Sequence, residues 1–285
     1  VTGAWLGVVV AVPALLAAGA LVPAWRRPLV CALPFAPLPA LFAAVVVPDD
    51  TVLALPWLLL GGTWSLDAVR RLLLAQMALV WTLGALVAPR HTVTAPRLPP
   101  LALPWLVALT GTLWVTLAQD IAGFYSGFAL LSFGAYPLVV ARDGADAAGA
   151  GRRYLAYTIG AEMALLVGLV GASARGAGQS LAGVAPALAT SPESVGVLLL
   201  LALLVGFGVK SALLGVHGWL PTTYTVAPAP VRVVLGGALI NAGVLGWLVT
   251  LPLGTAANPE VGRALVVLGL LAAIGGALRG TLLNR

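Results

Sequence analysis

Nine stretches of about 20 mainly apolar residues, the length that crosses the hydrocarbon core of a bilayer, recur along this chain. They fall at 3–22, 28–47, 66–88, 101–118, 121–141, 154–173, 195–217, 230–252 and 261–279. Helices apolar around most of their circumference must be surrounded by protein or by lipid. Only 8% of the 285 residues are charged, against about 25% in an ordinary soluble domain. With a mean hydropathy of +1.05 there is no polar shell to cover nine such helices, so the solvent is lipid. Backbone in lipid must satisfy its own hydrogen bonds, which at this segment length means helix. The expected fold class is an all-α polytopic membrane protein with about nine transmembrane helices. Proline or glycine interrupts the first, second and eighth spans at Pro13, Pro34, Pro37, Pro39, Gly236, Gly237, Gly243 and Gly246, which spanning helices tolerate where neighbours re-satisfy the backbone.

The connecting segments are short. Residues 48–65 hold Asp49, Asp50 and a Trp-rich stretch suited to the membrane interface; 142–153 (RDGADAAGAGRR) reads as the clearest polar loop, and 174–194 as a small-residue loop. The net charge of +6 does not suggest nucleic acid, because the arginines are scattered between apolar segments and read as topology signals. With the N-terminus outside, Arg26, Arg27, Arg90, Arg97, Arg142, Arg152, Arg153, Arg232, Arg279 and Arg285 fall inside, and Arg175 and Arg263 outside. This bias favours a multi-pass protein of the cell (inner) membrane with its N-terminus out; Arg70 and Arg71 fit neither group. The single cysteine, Cys31, excludes a disulfide framework or a CxxC pair and is expected to be a small packing residue.

Two ionisable groups stand at depth within the spans, Lys210 and Glu162. Lys210 is the only lysine in the chain. Each costs about 2.5–3.5 kcal/mol near a span centre and persists where it is paired, hydrated or used. Counted at about 1.5 Å per residue, Lys210 sits about 10 Å from the helix end marked by His217, and Glu162 about 12 Å from Tyr154. Similar depth on consecutive antiparallel helices makes a carboxylate–ammonium pair plausible. The competing readings are a snorkelling lysine and a structural acid bonded to Tyr157 or Thr158. His217 is a relay or a helix-end histidine. His91 is expected in a solvated loop, Asp67 in an ion pair with Arg70 or Arg71, and Asp120 in an exposed turn. GFGVKS at 206–211 lacks the glycine directly before lysine, and the strand–loop–helix context, of a phosphate loop. Two histidines 126 positions apart give no metal site, no nucleophile motif is present, and no cofactor ligands can be named.

Residues 206–247 nevertheless carry a specific pattern. GFGVKSALLGVHGWLPTTYTVAPAPV followed by GGALINAG resembles the seventh and eighth helices of the antiporter-like subunits of respiratory complex I, membrane-bound hydrogenases and Mrp-type cation/proton antiporters. The matching residues are Phe207, Lys210, His217, Trp219, Leu220, Pro221, Ala227, Pro228, Pro230 and Val231. Residues 124–160 resemble the fifth and sixth helices, and Leu66–Asp67 the entry to the third. The resemblance implies a broken seventh helix with breaks at Gly215, Pro221, Pro228 and Pro230. It makes Lys210 the central proton carrier, His217 a relay beside the break, and Asn241 and Tyr224 further relay positions. It divides the chain into helices one to three (1–100), a first repeat of helices four to eight (101–252) and the start of a second repeat (253–285). Partners would be other membrane subunits, together with protons or Na⁺ and the lipid bilayer. The chain would not be catalytic by itself but a subunit of an NADH:quinone oxidoreductase-like or hydrogenase complex.

Lysine suits such a site because an ammonium, unlike a guanidinium, can lose its proton, and a carboxylate that approaches or retreats alters how firmly that proton is held. The family's helix-five glutamate is missing, its place taken by Phe128–Ala129–Leu130, and the expected substitute is Glu162. Asn241 stands where lysine is common and resembles membrane subunits of inorganic-carbon uptake complexes, which keeps that function open, as the missing acid keeps open a structural subunit without conduction. The chain ends about where a tenth helix would begin, which reads as a fragment or a short subunit.

Overall fold

The computed structural model describes residues 2–94, 101–142, 144–251 and 259–283, with backbone alone at 89–94, 259–261, 279–280 and 282–283. It is about 80% helical, an all-α polytopic membrane protein. Three helices, α1 (Ala4–Gly19), α2 (Arg26–Ala32) and α3 (Leu38–Val46), precede a β-hairpin of β1 (Thr51–Leu55) and β2 (Gly62–Leu66). Then follow α4 (Ala68–Thr94), α5 (Ala102–Leu117), α6 (Ile121–Val139), α7 (Ala145–Ala172), α8 (Val184–Thr190), α9 (Glu193–Lys210), α10 (Trp219–Val226), α11 (Ala229–Val234), α12 (Ile240–Thr250) and α13 (Pro259–Leu283).

Six helical segments are long and apolar enough to cross a membrane: Pro23–Val46, Ala68–Ala88, Ile121–Val139, Ala145–Ala177, Glu193–Lys210 and Ala229–Thr250. The shorter apolar helices Ala4–Gly19, Ala102–Leu117 and Gly262–Leu278 coincide with the remaining three expected spans. Among them α5 can be short because protein surrounds it: Trp105, Leu106, Leu109 and Leu113 are fully buried. Elsewhere large apolar side chains point outward, among them Leu15, Leu72, Ile159, Met163 and Val170. In water such a surface would be a liability; in lipid it is the solvent-facing side.

Several local expectations change. Residues 145–153 are not loop but the first turns of α7, whose alanines favour helix. The 174–194 segment contains a π-turn at Ser173–Ala177, a 3₁₀ turn at Leu181–Gly183 and α8. The expected span 195–217 ends at Lys210, so a helical rise counted back from His217 does not measure its depth. His91 lies on the backbone of α4 rather than in a loop, and Cys31 is exposed rather than packed. Arg97 and Arg285 lie outside the described residues.

The hairpin fills the Trp-rich interface stretch. Thr51 pairs with Leu66 and Leu55 with Gly62 in antiparallel register, and Gly62, Trp64 and Leu66 turn inward. Asp120 is not an exposed turn acid: it is buried, caps α6 by accepting from Gly123 N (2.5 Å), and accepts from Thr63 N of β2 (2.9 Å). A capping carboxylate satisfies an N–H that the helix leaves unpaired. Arg70 and Arg71, misfits in the arginine count, are structural. Arg70 pairs with Asp67 (2.7 Å) and donates to Ala118 O (3.2 Å). Arg71 pairs with Asp49 (2.8 Å) and donates to Ala44 O and Val47 O.

Candidate functional site

The site lies where α6, α7 and α9 meet, at the last residue of α9. Leu165 and Leu169 of α7 and Leu199 and Leu203 of α9 are buried between the two helices, which sets Glu162 of α7 beside Lys210. Lys210 Nζ lies 2.8 Å from Glu162 Oε1 and donates to Ser132 Oγ of α6 at 2.5 Å. Glu162 is 2% and Lys210 9% exposed, so both charges have left bulk solvent and depend on each other. The pair inferred from depth is therefore formed, and Tyr157 and Thr158 are not the carboxylate's hydrogen-bond partners. Glu162 Oε2 has no hydrogen-bond partner among the described residues. Two of the three ammonium N–H donors are engaged, and a cavity of about 20 Å³ lined by Lys210, Ser132, Tyr154 and Thr158 borders them, about enough for one water. Toward the hairpin the rings of Phe124, Phe128 and Phe207 pack at centroid distances of 5.1–6.1 Å, an apolar plug.

Ser132 was not singled out from the sequence. It follows Ala129 by three residues and so shares its helix face. A hydroxyl one turn beyond a lost acid, within a largely apolar helix, was the available signal.

Lys210 ends its helix because the backbone turns. Ala212 adopts φ +54° and Gly215 φ +95°, left-handed values that glycine takes without strain. The carbonyls left open at the end of α9 find donors: Trp219 Nε1 donates to Val209 O (2.8 Å) and Leu213 N to Gly208 O (2.8 Å). Gly243 lets α12 close on this turn, since a Cβ there would stand 2.5 Å from Ser211 N. Gly215 is thus within the break. Pro221 is not; it sits in the first turn of α10, where its missing N–H is not needed. Pro228 precedes α11 and Pro230 lies in its first turn, so these two mark a second break, between α10 and α11.

The other expected site residues lie around this centre without a hydrogen bond to it. His217 is half-buried within the 211–218 turn, its Nδ1 buried and without a partner among the described residues. The Tyr224 hydroxyl packs against Gly236. Asn241 donates to Gln76 Oε1 (3.2 Å) and Gly237 O (2.7 Å), and Gln76 Nε2 donates to the same carbonyl (2.7 Å). Gly237 lies in a π-turn, Leu235–Leu239, whose wider ring leaves carbonyls open to side-chain donors. Among the described residues no group of three or more His, Cys, Asp or Glu could hold a metal ion.

Residues 118–282 match the family described as NADH:quinone oxidoreductase/Mrp antiporter, TM. The chain belongs to this family. The antiporter-family chain is 31% identical over 223 residues to "NAD(P)H-quinone oxidoreductase chain 4 1" of Synechococcus sp. (strain JA-2-3B'a(2-13)), covering 77% of this chain and 42% of that one. A second such relative, "chain 4 2" of Trichodesmium erythraeum (strain IMS101), is 29% identical over 231 residues, covering 80% of this chain and 41% of that one. The chain therefore spans about two fifths of the length of these curated relatives. Its fold is like that of a chain in the membrane-bound sulfane sulfur reductase (MBS), an archaeal respiratory membrane complex (TM-score 0.79, 20% identity, 94% of this chain and 57% of that one). It is also like a chain of the Mrp complex from Dietzia sp. DQ12-45-1b (TM-score 0.73, 22% identity, 87% and 48%).

Proposed function

We propose that this chain translocates protons, or exchanges Na⁺ for protons, as a membrane subunit of a larger complex in the cell membrane, with its N-terminus outside. The observation that carries the proposal is the buried Lys210–Glu162 pair at a helix break. Lys210 carries the proton. Glu162 holds or releases the ammonium in place of the acid missing at Ala129. His217, Tyr224 and Asn241 lie along the route that brings protons to and from it. Broken helices near the membrane's middle expose backbone groups that can be hydrated, and a lysine there can exchange its proton. The arginine bias supports the orientation, and the relatives' names, a quinone oxidoreductase chain and an Mrp complex, support partner membrane subunits. Residues 101–252 are taken as a first repeat and 253–285 as the start of a second.

The test is proton uptake by vesicles containing the assembled complex. Lys210→Ala is expected to abolish uptake, and Glu162→Gln to lower it roughly tenfold or more, the cost of about 1.4 kcal/mol in the transfer step. Parent-like uptake by Glu162→Gln with Lys210→Ala inactive would remove Glu162 from the mechanism. Unchanged uptake with Lys210→Ala would make the chain a structural subunit.

A further inference from the structure

A cleft of about 530 Å³ opens between the first turns of α7 and the end of α10, lined in part by Asp146, Gly149, Arg152, Arg153, Thr222 and Thr225. Both arginines are exposed, and neither forms an ion pair among the described residues. Arg70 and Arg71, by contrast, are each held by an acid and by backbone carbonyls, so the guanidinium groups of Arg152 and Arg153 are left to face the cleft they line.

Its position along α7 says what it faces. At 3.6 residues per turn, Arg152, Ile159, Met163, Leu166 and Val170 fall on one side of the helix, and all five are exposed. The four apolar members form a lipid-facing stripe, and Arg152 heads it, seven residues and about 10 Å beyond Ile159. The 28 residues of α7 reach about 42 Å, against a hydrocarbon core of about 30 Å. The excess belongs to the first turns, because Asp146, Arg152 and Arg153 lie there and the rest of α7 beyond Glu162 is apolar, so these turns stand at headgroup level. Gly218 packs on the Tyr157 hydroxyl and the Trp219 ring on Tyr154 at 5.5 Å, so α10 runs back along α7 and carries Thr222 and Thr225 to the arginines.

The chemistry of the lining is two-sided. The guanidinium forks donate and match a phosphate bidentately. The Thr222 and Thr225 hydroxyls already donate to Trp219 O and Thr222 O, at 2.8 Å each, so toward the cleft they accept. The Asp146 carboxylate accepts as well. We infer that this cleft binds a membrane phospholipid: its phosphodiester on Arg152 and Arg153, its headgroup hydroxyl or ammonium donors on Asp146 and the threonines, and an acyl chain along Ile159, Met163 and Val170. The inference does not depend on the chain's transport activity.

The test counts bound lipid by native mass spectrometry of the full chain, delipidated in detergent and titrated with phosphatidylglycerol, phosphatidylethanolamine or phosphatidylcholine. The first two carry headgroup donors and the third carries none. The parent is expected to retain the first two several-fold better than the third. Arg152→Gln/Arg153→Gln is expected to lose that retention by roughly tenfold or more, on the scale of two arginines at a headgroup surface. Asp146→Asn is expected to narrow the gap between the donor-bearing lipids and phosphatidylcholine. Equal retention of all three lipids, or parent-like retention by the double arginine variant, would overturn the inference. So would loss of a partner subunit from the complex in that variant with lipid retention unchanged, which would mark an acidic protein segment as the occupant.

Discussion

The hairpin end and the helix-break end of this molecule hold their charges in opposite ways. At the hairpin end, side chains tie to backbone besides any ion pair they make: Asp120 to two N–H groups, Arg70 to Ala118 O as well as Asp67, Arg71 to Ala44 O and Val47 O as well as Asp49. At the break, Lys210, Glu162 and Ser132 meet side chain to side chain. A group bonded to backbone cannot leave without disturbing the fold, whereas one bonded to another side chain can exchange partners by changing rotamer. The residue types follow: arginine, always charged and five-donor, where charge has to stay, and the lone lysine where a proton can be given up.

The largest effect is expected from breaking the helix-break end unevenly. Glu162→Leu leaves a buried ammonium without its counter-charge and is expected to cost about 3–5 kcal/mol of stability. Glu162→Leu with Lys210→Met removes both charges at similar volume and is expected to come within about 1 kcal/mol of the parent or above it. Denaturant unfolding in detergent reads both. A double variant as unstable as the single would mean that the pair serves chiefly to hold the fold, and the contrast between the two ends would vanish.

The fixed end is expected to behave the other way. Asp120→Ala removes a helix cap and the tie to β2, two bonds to a buried carboxylate, at a cost of about 2 kcal/mol. Transport per folded molecule should remain that of the parent, because among the described residues no hydrogen bond links Asp120 to the lysine site and the phenylalanine plug lies between. Thermal unfolding and vesicle uptake measured on the same preparation separate the two quantities. Loss of uptake beyond the loss of folded protein would connect the hairpin to the proton route.

How much of this was legible in the sequence follows the same division. Span positions were, because hydrocarbon thickness dictates length and apolarity wherever the chain runs. The Lys210–Glu162 pair was, because a charge in lipid needs a partner and few were within reach. The hairpin was not: a five-residue strand, Thr51–Leu55, and its partner carry no signal that separates them from a Trp-rich interface segment. Asp120 was misread because Gln119–Asp120 between two apolar runs looks like a solvated turn, and only the non-local bond to Thr63 shows the acid closing over a buried helix start. The end of α9 was placed seven residues late because apolarity continues through Ala212–Val216 while the backbone already turns. Ser132 carries little signal for a related reason: a serine in a largely apolar helix usually bonds its own backbone, as this one also does to Phe128 O at 2.7 Å.

The smallest effect sits on the rim of the fixed end. Burial alone would push the Asp67 carboxyl up, but the Arg70 backbone N–H and guanidinium outweigh it and hold the group below the usual carboxylate range. The folded protein therefore binds this proton less readily than the unfolded chain does. Its contribution is complete above the unfolded value of about 3.9 and disappears as pH falls through the lower, folded value. Because the Asp67 side chain is 37% exposed, solvent screening keeps that contribution to about 1 kcal/mol or less. Stability measured between about pH 5 and pH 2 should fall slightly less steeply in Asp67→Asn than in the parent. Added salt should shrink the difference, because the carboxylate side of the pair is open to solvent and screened. A parent and variant with identical acid limbs would place Asp67 among the groups that decorate the hairpin end rather than hold it. A steep, salt-insensitive difference would instead make the Asp67–Arg70 pair as buried in its energetics as Lys210 and Glu162.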